Sequence, residues 1–131
     1  MAELALKKKS RPKNLDLTTI RLPLPGFVSI LHRISGAGLF LLLPLLLWLF
    51  QSSLNSPESF ATFNAFLANP LAKILLLGLL WAYLHHFCAG IRFLLLDVHV
   101  GIDLESARLS SKIVLAVSLV ATALLGVTLL W

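Results

Sequence analysis

The residues best able to do chemistry lie between Tyr83 and His99, a stretch that holds three of the four histidines (His85, His86 and His99) together with Arg92 and Asp97. Most of this set sits inside an apolar run, where a bilayer tolerates polar or ionisable groups only if something pairs with them. An imidazole in such a place has two uses. It can be a neutral side chain hydrogen-bonded to a neighbouring carbonyl, as is common in helical bundles. It can also be an axial ligand to haem iron, with Gly90 one turn beyond His86 leaving room for a porphyrin. From spacing alone neither use is preferred for His86, and His85 would serve equally well. A second group, Ser29, His32 and Arg33, stands at the start of an earlier apolar run. Donors of this kind suit quinone carbonyls or haem propionates, acceptors that need placed hydrogen bonds. Arg92 and Asp97 also read as an ordinary interfacial pair.

The elements that must position these groups follow from composition. The chain has 131 residues, of which 58% are hydrophobic and only 13% charged, with a mean hydropathy of +0.90. Soluble domains carry about 25% charged residues. Ile34–Leu54, Ile74–Ile91 and Ile113–Trp131 have no charge at all, and each is near the roughly 20 residues that cross about 30 Å of hydrocarbon. Leucine-rich runs without two-residue alternation read as helices rather than barrel strands. The sequence therefore predicts an all-α, three-helix membrane bundle, with helices at about 26–51, 71–97 and 113–131 and a basic tail over 1–25. A single membrane domain, with no separate soluble catalytic domain, accounts for the length.

At 100° per residue Ser29, Arg33, Gly36 and Phe40 share one face of the first helix. His86, Gly90, Phe93 and Asp97 form a stripe on the second, beside a small-residue stripe of Gly78, Ala82 and Ala89 suited to close approach of another helix or a flat ligand. The two helices run antiparallel, so Ser29, His32 and Arg33 gather at one depth with Arg92 and Asp97. Residues 52–70 hold a weakly amphipathic segment, Phe60–Leu67, suited to the outer interface. Val100–Lys112 reads as a short polar loop, and Ser118, Thr122 and Gly126 are the polar or flexible marks of a third helix devoted to packing.

The net charge of +5 could suggest nucleic acid, but its placement argues for topology instead. Lys7, Lys8, Lys9, Arg11, Lys13 and Arg21 precede the first apolar run, the next loop has no Lys or Arg, and Arg108 and Lys112 follow the second run. That alternation puts the N-terminus in the cytoplasm and the C-terminus outside. The basic region runs into Arg11-Pro12 and Asp16 rather than an apolar core, so no cleavable signal is read, which fits a bacterial inner membrane. Cys88 is the single cysteine. It can form neither an internal disulfide nor a haem-attachment pair, and reads as a small packing residue.

Three segments together carry a resemblance: Arg11-Pro12-Lys13-Asn14-Leu15-Asp16-Leu17, then Ser29-Ile30-Leu31-His32-Arg33-Ile34-Ser35-Gly36, then His86-Phe87-Cys88-Ala89-Gly90-Ile91-Arg92 followed by Leu94-Leu95-Leu96-Asp97. Over nearly its whole length the chain resembles the cytochrome b membrane-anchor subunit of succinate dehydrogenase, the larger of the two small anchors of complex II. The resemblance implies that His86 is the axial ligand of haem b, that Ser29 and Arg33 contribute to the ubiquinone pocket, and that His32 and Arg33 lie near the haem propionates. It further implies a second anchor subunit supplying the other axial histidine and a quinone-pocket tyrosine. A flavoprotein would oxidise succinate, and an iron–sulfur subunit would carry the electrons to the membrane. Some relatives have a histidine directly after Gly-Ile-Arg, where this chain has Phe93. His85 and His99 receive no role. The nearest rival is the anchor of a quinol:fumarate reductase. A rival of another class is a haem-free transporter or assembly protein using Arg33, Arg92 and Asp97 as a polar relay.

Overall fold

Prolines and short polar side chains decide where the helices begin. In the computed structural model, which describes residues 20–131, four helices follow one another: α1 (Leu24–Ser53), α2 (Pro57–Ala68), α3 (Pro70–Asp97) and α4 (Leu104–Leu130). Pro25, Pro57 and Pro70 each stand in a first turn, where the missing N–H is no loss. Ser56 and Ser59 close a reciprocal capping box on α2, and the Asn69 side chain accepts from Leu71 N at 2.8 Å to start α3. Asp103 accepts from Ser106 N at 2.9 Å and starts α4. Between α3 and α4 the chain turns through His99 and Gly101, at φ 64° and 72°, while Val100 N donates to the Leu95 carbonyl. Such a left-handed residue with a bond back into the last turn is a common way to end a helix.

Three of the helices, α1, α3 and α4, are long and apolar enough to cross a membrane. α3 is the central one, packed against α1 on one side and α4 on the other. Its core is small: Val28, Ala89 and Val114, one from each long helix, with Cys88, Phe93 and Leu115 around them. Large apolar side chains face outward instead, among them Phe40 at 75% exposure and Trp48 at 61%. That is the arrangement of a chain whose solvent is lipid and neighbouring protein rather than water. α1 is the least covered, with Val28, Ser35 and Ser53 its buried residues.

What α3 and α4 share is close approach. Ser111, Ser118, Thr122 and Gly126 make the buried stripe of α4. Each hydroxyl donates into its own helix: Ser111 to the Ala107 carbonyl at 2.7 Å, Ser118 to Leu115 at 3.1 Å and Thr122 to Ser118 at 2.6 Å. Small residues thus line the contact without an unmet polar group. A Cβ on Gly126 would come within 2.5 Å of the Leu77 side chain. At the far end the Lys73 ammonium lies 5.0 Å from the centre of the Trp131 ring, a cation–π contact that holds a charge within a lipid-facing helix.

Two sequence expectations need correction. The polar stretch 100–112 is a loop only as far as Asp103, and Leu104–Lys112 forms the first turns of α4, because the Asp103 cap and Glu105 favour a helix start that hydropathy does not register. Within the stripe of Gly78, Ala82 and Ala89, only Ala89 packs in the core of the described residues. Ala89 is fully buried, but a Cβ on Gly78 would meet nothing within 4 Å. Arg92 does not pair with Asp97. It is 6% exposed and donates from Nε to Ser110 Oγ at 2.9 Å and from the guanidinium to the Ala107 carbonyl at 3.3 Å, while Asp97 is exposed. Five residues apart on a helix, the two point to different sides. The weakly amphipathic segment Phe60–Leu67 is helical, within α2. The basic residues Lys7 to Lys13 lie outside the described residues.

Replacing Gly126 with Val is expected to lower thermal stability of the detergent-purified protein by about 1–3 kcal/mol through overpacking against Leu77, read as a fall in unfolding midpoint. The Asp103 carboxyl is held below its usual range by the hydroxyl and N–H of Ser106. A depressed carboxylate stabilises the fold at neutral pH and ceases to do so as pH falls through its folded-state value. Asp103→Asn should therefore flatten the acid limb of the stability-against-pH curve and leave the alkaline limb unchanged.

Candidate functional site

α1 and α3 cross so that His86 enters a notch on α1 made by one turn, His32 to Gly36. The His86 Nδ1 lies 3.0 Å from the His32 carbonyl oxygen and 3.3 Å from Ser35 Oγ. A carbonyl only accepts, so Nδ1 must carry the proton and donate. The Ser35 hydroxyl gives its own proton to the same His32 carbonyl at 3.0 Å, which leaves its lone pair facing Nδ1–H. With Nδ1 protonated in the neutral imidazole, Nε2 carries a bare lone pair. Among the described residues Nε2 has no hydrogen-bond partner.

Gly36 is the floor of the notch. A Cβ there would stand 2.6 Å from His86 Cε1 and 3.1 Å from Nδ1, closer than atoms can approach. The His32 ring forms one wall, stacked on His86 with centroids 4.1 Å apart and planes 6° from parallel. Phe93 backs His32 at 5.0 Å, and a Cβ on Gly90 would lie 3.7 Å from His32 Nε2. The glycine that the His86 ring requires is therefore Gly36, while a Cβ on Gly90 would make only ordinary van der Waals contact with His32. Helical periodicity placed Gly36 on the Ser29–Arg33 face but did not register that His86 sits on it. A small residue one turn after a polar pair was the available signal.

His85, one residue away, is enclosed completely, at 0% exposure. Among the described residues neither of its ring nitrogens makes a hydrogen bond, nor does the buried Nε1 of the Trp81 ring 5.3 Å off. His86 is half-buried on the open side of the α1–α3 crossing. The two adjacent histidines thus face different worlds, one the interior of the bundle and the other its flank.

Ser29 is half-buried and Arg33 exposed on the flank of α1 that carries Gly36. Neither side chain makes a hydrogen bond among the described residues. His32, Ser35, Gly36, His86, Gly90 and Phe93 come together. Arg92 leaves the group for α4, which removes it from any relay with Arg33 and Asp97. His99 is exposed in the turn before α4.

A family model described as succinate dehydrogenase/fumarate reductase transmembrane subunit matches residues 7–125. Three bacterial proteins named succinate dehydrogenase cytochrome b556 subunit are similar to the chain over almost their full lengths. The one from Coxiella burnetii (strain RSA 493 / Nine Mile phase I) is 40% identical over 118 residues, 89% of this chain and 94% of the relative. That from Paracoccus denitrificans is 34% identical over 119 residues, 91% of this chain and 92% of the relative. That from Rickettsia felis (strain ATCC VR-1525 / URRWXCal2) is 30% identical over 118 residues, 89% of this chain and 91% of the relative. With three membrane-length helices and a match of this extent, the chain is a multi-pass membrane protein that belongs to the succinate dehydrogenase/fumarate reductase transmembrane subunit family.

Proposed function

We propose that this chain is the cytochrome b anchor of a succinate:ubiquinone oxidoreductase, with His86 as an axial ligand of haem b. The observation that carries the reading is the protonated Nδ1 of His86 on the His32 carbonyl, which leaves the Nε2 lone pair unshared on the open flank. Metal-bound histidines characteristically donate their other ring nitrogen in this way, which fixes the tautomer and raises the basicity of the ligating atom. The donor set and the glycine floor fit the group. His85 is enclosed in the bundle interior at 0% exposure, so neither of its ring nitrogens faces an open flank. Haem b, when bound, supplies a one-electron redox centre. His86 would be the ligand this chain offers to haem b, and a further protein ligand would come from the other small anchor subunit.

The remaining residues act on the quinone and on the carboxylates of the porphyrin edge. Ser29 and Arg33 stand one turn apart on the same face, about 5–6 Å between Cβ atoms. The Arg33 guanidinium stays charged and surrenders no proton, so it polarises a quinone carbonyl or pairs with a propionate. The Ser29 hydroxyl donates a hydrogen bond to a carbonyl oxygen and holds it in register. Ubiquinone gains two electrons and two protons on becoming quinol, and the electrons reach it from succinate by way of the flavoprotein and iron–sulfur subunits. His32, beside His86, lies where a propionate would run. The chain itself contributes no dehydrogenase chemistry. The relatives carry the name of the succinate-oxidising enzyme, which favours this direction over quinol:fumarate reduction. The basic residues ahead of α1, with Arg108 and Lys112 at the start of α4, support an N-terminus and an α3–α4 turn in the cytoplasm of a bacterial inner membrane and a C-terminus in the periplasm.

In a dithionite-reduced minus oxidised spectrum of the purified complex, His86→Ala is expected to lose or shift the b-type α-band and His85→Gln to keep it. An unchanged band in His86→Ala removes the proposed ligand. Gly36→Ala should act like His86→Ala, because its methyl group occupies the space of the imidazole. Ser29→Ala and Arg33→Leu are expected to retain the band while lowering kcat/KM for ubiquinone at least tenfold, equivalent to about 1.4 kcal/mol of binding in the transition state. Equal losses with a dye that takes electrons from the flavoprotein would place the defect outside the quinone site.

A further inference from the structure

We infer that Ser35 is a positioning residue for His86, its hydroxyl governing the direction and strength of the hydrogen bond that Nδ1–H makes and so the electron donation of Nε2. The inference rests on the proposed ligation by His86 and extends it to a residue that touches neither iron nor quinone. Three donors converge on the His32 carbonyl oxygen. The helical N–H of Gly36 is one, by the i to i−4 pattern of α1; the Ser35 hydroxyl at 3.0 Å and His86 Nδ1–H at 3.0 Å are the others. A carbonyl has two lone pairs, so Ser35 and His86 share what Gly36 leaves. The same Ser35 Oγ offers its own lone pair to Nδ1–H at 3.3 Å. Ser35 therefore competes with His86 for one acceptor while giving it a second.

The surroundings make this arrangement rigid. Ser35 is 8% exposed, and its Oγ reaches across from α1 to His86 of α3. The glycine floor prevents His86 from sliding towards Gly36, and the stacked His32 ring closes one face of the imidazole. With those two movements blocked, the orientation of the ring about its long axis is set at Nδ1, where Ser35 acts. Hydrogen bonding to the far nitrogen of an axial histidine is one of the levers by which a protein tunes haem, alongside ligand identity and burial. Serine in a helix commonly bonds back to its own i−3 or i−4 carbonyl without further consequence. What distinguishes Ser35 is that the carbonyl it bonds is the one that also holds His86.

The test uses the purified four-subunit complex with Ser35→Ala, Ser35→Thr and His86→Ala, measuring haem content, the g-values of the oxidised haem by electron paramagnetic resonance, and its midpoint potential. Ser35→Ala is expected to keep stoichiometric haem while shifting both the g-values and the potential. Ser35→Thr, which keeps the hydroxyl, should return both to the wild-type values. Wild-type g-values and potential in Ser35→Ala would overturn the inference and leave the hydroxyl as local helix packing. If Ser35→Ala loses haem, retention with wild-type g-values in Ser35→Thr supports it, and loss in both variants overturns it. An unchanged spectrum in His86→Ala defeats the ligation reading itself, an outcome separate from a silent Ser35.

Discussion

A bilayer offers no water to a polar group, and this protein's structure is largely a set of answers to that constraint. Each buried donor must find an acceptor inside the chain, and in a helix almost every backbone carbonyl is already engaged. The contact of His86 Nδ1 with the His32 carbonyl is one such answer, because a helical carbonyl retains a second lone pair that a neighbouring side chain can reach. Satisfying one ring nitrogen in that way is what leaves the other free. A burial requirement and a chemical capacity thus arise from the same bond.

The α3–α4 pair meets the constraint by a different route. Its buried hydroxyls turn back on their own helix, and Arg92 finds Ser110 and the Ala107 carbonyl at the end where α4 starts. Those pairings leave nothing over for a ligand, which suits a hairpin whose task is packing. On the α1 side, Ser29 and Arg33 lack partners within the described residues and His86 keeps an unshared lone pair. The asymmetry divides the bundle into a self-satisfied half and a half that presents open valences. The buried ring nitrogens of His85 and Trp81 stand apart from both, making no hydrogen bond among the described residues.

Much of this was legible in the sequence. Long charge-free runs are a strong signal, and the predicted helices at 26–51 and 71–97 differ from α1 and α3 only at their ends. The third began nine residues earlier than hydropathy suggested, at Leu104 rather than Ile113, since a cap and a polar first turn carry no apolar signal. Type and spacing singled out the histidine pair and His32, and the resemblance chose His86 over His85; His86 does lie against His32. Arg92 was misread as an interfacial partner of Asp97 because its true partners, Ser110 and the Ala107 carbonyl, lie in a different helix. Ser35 and Gly36 were visible as letters in a motif, yet their work depends on which turn of α1 faces which turn of α3. Helical periodicity gives the faces of each helix and says little about register between them.

The notch that receives His86 is divided between two helices that leave the ribosome at different times. The turn from His32 to Gly36 is made some fifty residues before His86 exists. Until α3 enters the membrane, α1 therefore waits with Gly36 facing an unfilled hollow and the second lone pair of the His32 carbonyl unclaimed by any imidazole. Newly made α1 resembles a socket cast ahead of its plug. The order of synthesis makes the site the product of a late encounter between helices, and a chain arrested after its first span would be inserted yet unable to offer a ligand.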